Sequence, residues 1–231
     1  MIDDDAERLR VEALHSYQLL DTASEAAFDD LATMAAELCD VPIAVVSLID
    51  AHRQWSKAAH GCPRGEVERE LSFCTHAIES DEALVVPDAQ QDPRFCDNMM
   101  VVGEPYIRLY AGQPLIDRDG HRLGTLCLID RKPRELDSST RKVLDQISRQ
   151  VVHLMELRRS NRLLKECLDR VGQIAELVPM CSHCHSVRDG EDEWQRIEQY
   201  FRDLNGTRFT HGVCPACLVQ HYPSDLEQLL R

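Results

Sequence analysis

The chain has 231 residues, 43% of them apolar, which leaves room for one domain of ordinary size and a small appendage. Acidic residues outnumber basic ones by 40 to 26 and the formal net charge is −14, which disfavours binding to a nucleic-acid backbone. No apolar run reaches the ~20 residues of a membrane span, and the acidic start MIDDDAERLR is unlike a signal peptide, so we expect a soluble, cytoplasmic protein that does not bind membranes.

Two helices are predicted at the start of the chain, over residues 7–20 and 24–39, from the spacing of their apolar residues. The next segment, VPIAVVSLID at 41–50, is apolar and β-branched almost throughout. This composition is typical of a central strand that is buried on both faces. The segment AHRQWSKAAHG is then predicted to return beside that strand after a turn at 50–52.

The middle of the chain predicts a short helix, a polar loop and a hairpin. The helix is expected around residues 73–79 and the loop over 88–103. The segments YIRLYAGQPLID and RLGTLCLID follow as two strands, joined at Arg118-Asp119-Gly120. The Asp-Gly step in this connection is a strong hairpin signal because both residues tolerate the backbone angles of a tight turn.

A long helix is predicted from Asp137, which has the side chain of a good N-cap. Over its last part the core-type positions are spaced alternately by four and three residues; they are Leu157, Asn161, Leu164, Leu168, Val171, Ala175 and Val178. This spacing indicates a two-stranded coiled coil in which the polar Asn161 fixes the register. We therefore expect a parallel homodimer, and the alternative is a helix that lies on its own domain.

Two Cys-x-x-Cys pairs follow near the end of the chain, and 29 residues separate one pair from the other. The four cysteines are Cys181, Cys184, Cys214 and Cys217. Four thiolates match the tetrahedral shell of a structural Zn²⁺ ion, and a helix in WQRIEQYFRDL would fill the gap between the pairs. The alternatives are a redox dithiol, plain buried cysteines, or a histidine that replaces one cysteine; the candidates are His183, His185 and His211.

Several separate stretches resemble the GAF domain of bacterial sensory proteins. They are ERLRVEALHSYQLLDT, VVSLIDAHRQWSKAAHG, RELSFCTHAI, DAQQDPRFCDNMMVVGEPYIRLYAGQPL and LGTLCLIDRKPREL. The resemblance covers about residues 7 to 158. It implies an α+β fold, a six-stranded antiparallel sheet with helices on one side and a ligand pocket on the other. The tail is similar to a small zinc-ribbon-like, cysteine-paired module found at the C-terminus of bacterial PAS, GAF and receiver-domain proteins.

Three regions are therefore predicted. Residues 1–158 form a GAF-like sensor domain, 159–178 a coiled-coil linker helix, and 179–231 a four-cysteine zinc-binding module. Pro179 marks the boundary between helix and module because proline does not continue a helix. Only about twenty residues of helix separate the sensor from the module, so we expect no kinase, cyclase or phosphodiesterase domain between them.

The resemblance implies a ligand pocket between the sheet, the short helix and the long loop. On this chain those elements offer Trp55, Phe73, Cys74, His76, Phe95, Arg108 and Tyr110. Strand alternation places Arg108 and Tyr110 on one face, where a charge and a hydroxyl could meet a polar ligand. Equally, Trp55 and Tyr110 are candidates for core aromatics, and Arg108 for an ion pair with Asp88 or Asp92.

Cys74 is the thiol of greatest interest outside the zinc module. In the first turn of a helix, with His76 two residues later, its pKa would be lowered and the thiolate favoured. The alternative is a small buried cysteine beside Phe73.

Two functions are compatible with these features. The leading hypothesis is a non-enzymatic regulatory protein that senses a small ligand or redox state. It would relay the signal through a dimeric helix to the zinc module, or to a protein partner such as a signalling kinase or regulator. The alternative is a thiol-dependent reductase, because free methionine sulfoxide reductases use a GAF fold with active-site cysteines. The available thiols are Cys62, Cys74, Cys96 and Cys127.

Overall fold

A computed structural model of the protein describes residues 4–174, 180–188 and 193–221. The chain divides into two compact units, Met1–Cys167 and Leu168–Arg231. None of the helices in these described ranges is long and apolar enough to cross a membrane.

The first unit is built on one antiparallel sheet with strand order β3-β2-β1-β6-β5-β4. Its strands are β1 Ile43–Ile49, β2 Arg53–His60, β3 Glu66–Glu68, β4 Leu84–Val86, β5 Leu109–Ile116 and β6 Arg122–Asp130. Its helices are α1 Asp4–Ser16, α2 Ala26–Leu38, α3 Phe73–Ala77, α4 Met99–Val102 and α5 Ser138–Ile174, the last of which continues past Cys167. The predicted α+β fold with a six-stranded antiparallel sheet is confirmed.

The second unit has short elements in its described part. They are β7 Val187–Arg188, β8 Trp194–Gln195, α6 Ile197–Asn205 and α7 Pro215–His221. Strands β7 and β8 pair with each other as a small antiparallel ribbon. The helix predicted between the two cysteine pairs is α6, which ends at Gly206 in a left-handed conformation with φ of 73°.

Strand β1 lies at the centre of the sheet, between β2 and β6, and all seven of its residues are buried. Side chains alternate across the sheet, so the sheet contributes to two separate cores. The helical face is the side packed against α1, α2 and α5; its core includes Leu14, Phe28, Val46, Leu126 and Val151. The thiol face is the opposite side, covered by α3, α4 and the loop before α4; its core includes Phe73, Cys74, Phe95, Tyr110 and Cys127.

Helix α5 begins as predicted, because Asp137 Oδ1 accepts a hydrogen bond from the Thr140 amide at 2.7 Å. Its first part packs in the core of the helical face through Leu144, Ile147, Val151 and Met155. Further along, the predicted seam is exposed: Leu157 is 58%, Leu164 58% and Leu168 61% accessible. Ala175 and Val178, the last positions of that seam, lie outside the described residues.

Helix α1 differs from its prediction over 7–20, because it ends at Ser16. Gln18 has φ of 50°, a left-handed conformation that ends a helix, and Tyr17 and Leu19 then turn into the core with 1% exposure each. Strands β3 and β4, of three residues each, and the four-residue helix α4 were not predicted from the residue pattern.

Candidate functional site

A buried polar cluster of the first unit lies on the thiol face. Ser47 of β1, Tyr110 of β5, and Thr125 and Cys127 of β6 are all buried on this side of adjacent strands. Helix α3 covers them and brings in Cys74, which is 2% exposed. The side-chain hydroxyl of Ser72 caps this helix by accepting a hydrogen bond from the Thr75 amide.

Tyr110 reaches Cys74 because the neighbouring position on the same strand face is a glycine. A Cβ atom on Gly112 would lie 2.2 Å from the Tyr110 hydroxyl, so only glycine leaves room for the ring to lie along the strand. In this position Tyr110 Oη donates a hydrogen bond to Cys74 Sγ at 3.3 Å.

Aromatic rings line one side of this polar cluster. Phe73 and Phe95 stack with centroids 4.0 Å apart, and Phe73 lies 5.0 Å from Tyr110. His76 contacts the edge of Phe95 at 5.1 Å, but its side chain remains 38% exposed. His76 is therefore at the rim of the cluster, where it lies 3.9 Å from Glu79.

The two buried thiols, Cys74 and Cys127, both belong to the core of the thiol face, and each influences the pKa of the other. Burial raises the pKa of Cys74, but the neighbouring polar side chains outweigh burial and lower this pKa below its usual value; they are Cys127, Thr125, Tyr110 and Ser47. The pKa of Cys127 lies well above its usual value because of the neighbouring Cys74 and its burial. Cys74 is therefore the more acidic thiol of the two.

A chain of hydrogen bonds supports the cluster from the side of β2. Ser72 Oγ donates to Gln54 Oε1, and Gln54 Nε2 donates to Ser47 Oγ at 2.9 Å. Thr125 Oγ1, in contrast, is buried without a well-formed hydrogen bond. The cluster therefore contains one hydroxyl that could form a hydrogen bond with a small polar ligand.

A cavity of about 40 Å³ adjoins the two thiols. Its lining includes Phe73, Cys74, Tyr110, Cys127 and, from the covering segment, Met100. Pockets for drug-sized ligands are typically ~300 to 1,000 Å³, whereas a single water needs only ~10 to 15 Å³. The cavity as described therefore fits a molecule of the size of water or slightly larger.

Phe73, Cys74, Phe95 and Tyr110 are thus brought together as the sequence predicts. Trp55 is not, because it packs against the core of the helical face. Arg108 precedes β5 and forms a two-pronged ion pair with Asp88, with Nε to Oδ1 at 2.7 Å and Nη2 to Oδ2 at 2.8 Å. The geometry therefore corresponds to the alternative in which Arg108 bridges the loop, and Arg108 does not line the cavity.

Ser47, Gln54, Thr125 and Cys127 were not singled out as site residues from the sequence, although Cys127 was noted as an available thiol. The alternation in VVSLID and LGTLCLID places Ser47, Thr125 and Cys127 on matching faces of two strands. That alternation was the available signal. It becomes specific only when β1 and β6 are known to be paired, with Ser47 opposite Thr125 and Val45 opposite Cys127.

The four terminal cysteines are brought together only within their pairs. Cys184 lies beside Cys181, and Cys217 beside Cys214. Among the described residues, the one group of three or more potential metal ligands within 4.8 Å of each other lies elsewhere, in the β5–β6 turn; it is Asp117, Asp119 and His121. The structure thus does not assemble the predicted zinc-ribbon-like site, and zinc binding by all four cysteines stays a prediction.

The acidic group in the β5–β6 turn is explained by the hairpin itself. Asp117 Oδ1 accepts hydrogen bonds from the backbone amides of Asp119 at 3.0 Å and His121 at 2.8 Å. These bonds hold the tight turn and occupy the carboxylate.

Comparisons with known proteins agree with this architecture. The chain is 38% identical over 149 residues to a cyclic di-GMP phosphodiesterase of Pseudomonas aeruginosa; the match covers 64% of this chain and 25% of that protein. The chain thus spans about a quarter of the length of this curated relative.

Solved structures match the fold. The GAF domain of a phosphoenolpyruvate-protein phosphotransferase from Coxiella burnetii has a TM-score of 0.52 at 12% identity, over 69% of this chain and 95% of that one. A free methionine-R-sulfoxide reductase from Neisseria meningitidis, in complex with its substrate, has a TM-score of 0.50 at 16% identity. The match covers 70% of this chain and 96% of that one. At these identities the likeness shows the fold alone.

The family model of the GAF domain matches residues 24–153, more than half of the chain. This range contains the whole sheet and every residue of the thiol cluster, and it ends before the cysteine pairs. On this match, the chain belongs to the GAF domain family.

Proposed function

We propose that the protein is a signal-transduction regulator in which the GAF domain senses a small ligand or redox state and helix α5 relays the change through a homodimer. One observation carries the proposal. The same helix supplies part of the GAF core and then displays an apolar stripe at coiled-coil spacing.

Polar contacts also tie α5 to the start of the domain. Glu156 accepts a hydrogen bond from the Tyr17 hydroxyl at 2.5 Å. Arg158 Nε bonds Glu25 Oε2 at 3.0 Å. A change in the GAF core that alters these contacts would shift α5 and thus favour one of two helix packings, provided that the ligand binds one state better.

The occupant we assign to the stripe is a second copy of this chain. Leu157, Leu164 and Leu168 are exposed, and Asn161 interrupts them at one core position, as in parallel two-stranded coiled coils. An identical helix offers the same spacing, so each leucine would meet its own counterpart across a two-fold axis.

The double variant Leu164→Lys/Leu168→Lys tests this assignment. Light scattering should give a dimeric mass for the parent protein and a monomeric mass for the variant, because four charges would enter the dimer core. Leu163→Lys is the matched control, since Leu163 is 45% exposed on the same helix but outside the seam. A double variant that keeps the parent's dimeric mass, or a monomeric parent, would contradict the relay.

The curated relative supports a signalling role. Its name assigns it a cyclic di-GMP phosphodiesterase activity, and this chain matches only a quarter of its length, so the likeness supports a role in signalling rather than that activity. The output we propose is a protein partner, such as a signalling kinase or regulator, or the cysteine-paired tail itself.

For the tail we propose one structural zinc per chain, held by Cys181, Cys184, Cys214 and Cys217. The support is the chemistry of the donors, since paired thiols with two-residue spacers are typical of structural zinc sites. Metal analysis should find about one zinc per chain, and none in Cys181→Ser/Cys214→Ser. Cys167→Ser is the control, because this exposed cysteine lies outside both pairs. A parent protein without zinc would contradict the assignment.

A thiol-dependent reductase is the second candidate, and the buried Cys74 and Cys127 are the observation that favours it. The small cavity disfavours it, because about 40 Å³ does not accommodate an amino acid such as methionine sulfoxide. Incubation of the protein with methionine sulfoxide and dithiothreitol distinguishes the two functions. Turnover that is lost in Cys74→Ser would establish the reductase.

A further inference from the structure

We propose that Cys74 and Cys127 form a reversible disulfide when hydrogen peroxide enters the cavity beside them. As a chemical site the proposal stands on the geometry of the two thiols, whereas its use as a signalling input rests on the proposed function. The two cysteines come from α3 and β6, so a bond between them would link the cover of the cavity to the centre of the sheet.

The arrangement meets three requirements of this chemistry. First, Cys74 and Cys127 come together in one buried core where α3 packs on β6, and a disulfide requires such proximity. Second, both thiols line a cavity of about 40 Å³, which is large enough for hydrogen peroxide. Third, donors surround Cys74: Tyr110 Oη lies 3.3 Å from its sulfur, and the buried Thr125 hydroxyl lacks a well-formed partner of its own.

These donors stabilise the thiolate of Cys74, which is the nucleophilic form, and burial alone would have the opposite effect. Cys127 keeps its proton and is the resolving thiol. Cys62 is half-buried near Cys127 and is the nearest competitor for the resolving role.

The reaction balances in two steps. The Cys74 thiolate attacks one oxygen of hydrogen peroxide and the O–O bond breaks; the departing hydroxide takes up the proton released from Cys74 and becomes water, leaving a sulfenic acid. The Cys127 sulfur then attacks the Cys74 sulfur, the S–O bond breaks, and the hydroxyl leaves with the Cys127 proton as a second water. Two thiols are oxidised to a disulfide and one peroxide is reduced to two waters. A dithiol reductant restores the thiols.

The test uses the full chain, treated with hydrogen peroxide, blocked with an alkylating reagent, digested and examined by mass spectrometry. We expect a peptide pair linked through Cys74 and Cys127 that dithiothreitol separates, forming at least tenfold faster than oxidation of the exposed Cys167. In Cys127→Ser, Cys74 should instead accumulate as a sulfenic acid that dimedone traps. Cys62→Ser should leave the linkage intact. Alkylatable Cys74 and Cys127 after Cys167 has oxidised, or a linkage that uses Cys62, would overturn the proposal.

The Tyr110→Phe variant tests whether the phenol of Tyr110 activates the Cys74 thiol or only lies near it. Loss of the phenol should slow oxidation of Cys74 about tenfold at neutral pH and move the pH midpoint of the rate upward, since about one pKa unit corresponds to a tenfold change in thiolate. An unchanged rate and midpoint would show that Tyr110 does not activate the thiol. The monomeric Leu164→Lys/Leu168→Lys variant should form the disulfide at the parental rate, so a failure of the dimer and a failure of the disulfide are observed separately.

Discussion

The two faces of the sheet bury polar groups in different ways. On the helical face, Lys57 is fully buried, and its ammonium group donates to Thr22 Oγ1 at 2.8 Å, the Ala23 carbonyl at 3.0 Å and Glu25 Oε1 at 2.5 Å. On the thiol face the buried groups are thiols and hydroxyls, and Thr125 Oγ1 has no well-formed partner. The helical face therefore uses polarity to fix structure, whereas the thiol face keeps a group available for chemistry.

A β-bulge explains how a lysine enters the core. Val46 pairs with Ala58 and Ser47 with Ser56, so Lys57 is the extra residue between them. The bulge turns its side chain toward the start of α2, where the ammonium lies 5.2 Å from the centre of the Phe28 ring.

The largest effect should come from Lys57→Met, which removes the buried cation. Three acceptors would lose their donor, and we expect a loss of about 3 kcal/mol in the free energy of unfolding. Urea denaturation measures this loss, with Lys142→Met, an exposed lysine on α5, as the control. A loss below about 0.5 kcal/mol would mean that the helical face does not depend on this cluster.

Glu7→Gln tests the second charged cluster of the helical face. Arg10 and Arg69 bond the Glu7 carboxylate, and although burial raises the pKa of Glu7, these bonds lower it from 4.5 to about 2. Because the folded pKa is depressed, the stabilisation is full above about pH 4.5 and is lost as the pH falls toward about 2. Urea denaturation should therefore show a deficit of about 2 kcal/mol for Glu7→Gln at pH 7 that shrinks below pH 5.

The control for this prediction is Glu12→Gln on the same helix, where the ion pair with Arg8 is 59% exposed on both partners. Its effect should stay below about 0.5 kcal/mol at every pH. A deficit for Glu7→Gln that is independent of pH would contradict the ionic origin of the stabilisation.

Gly112→Ala tests the thiol face. The added methyl would displace the buried ring of Tyr110 and break its bond to Cys74, so we expect a loss of about 1.5 kcal/mol in the free energy of unfolding. Gly65→Ala is the control, because a Cβ at Gly65 meets nothing within 4 Å. Equal stabilities of the two variants, measured by urea denaturation, would show that the ring can move without cost.

The last comparison makes the same substitution on both faces, and its Thr125→Val variant has the smallest expected effect. Thr22→Val removes a hydroxyl that bonds Lys57 and the Leu19 carbonyl, and it should cost about 1 to 2 kcal/mol. Thr125→Val removes the hydroxyl without a well-formed partner, and the free energy of unfolding should change by less than about 0.5 kcal/mol or increase. Thermal and urea denaturation of both variants measure the difference. A larger loss for Thr125→Val would erase the contrast between the faces.

Much of the fold followed from local patterns. The central strand, the hairpin with its Asp-Gly turn and the capped start of α5 were predicted because each has a strong periodic or turn signal. Strands β3 and β4 and helix α4 were missed because three or four residues do not establish a period. Their conformation depends on the partner strand or the packing around them.

The candidate site was predicted in part. Phe73, Cys74, Phe95 and Tyr110 converge as expected. Strand alternation places Arg108 on the same face as Tyr110. It does not reveal that Asp88 binds the Arg108 guanidinium outside the cavity. Trp55 lies on the opposite face because the bulge at Lys57 and the pairing of β2 with β1, neither of which is visible in the sequence, decide its direction.

The sequence by itself determined the two Cys-x-x-Cys pairs and the heptad stripe of α5, because each is a spacing along one segment. The GAF architecture followed from the resemblance of several separate stretches to that domain. Only the tertiary structure decided that Cys74 and Cys127 line one cavity. This arrangement requires α3 to cover β6 beside Tyr110, and these positions lie far apart in the chain. Short-range periodicity carries no information about such an arrangement, because strand pairing and helix packing create it.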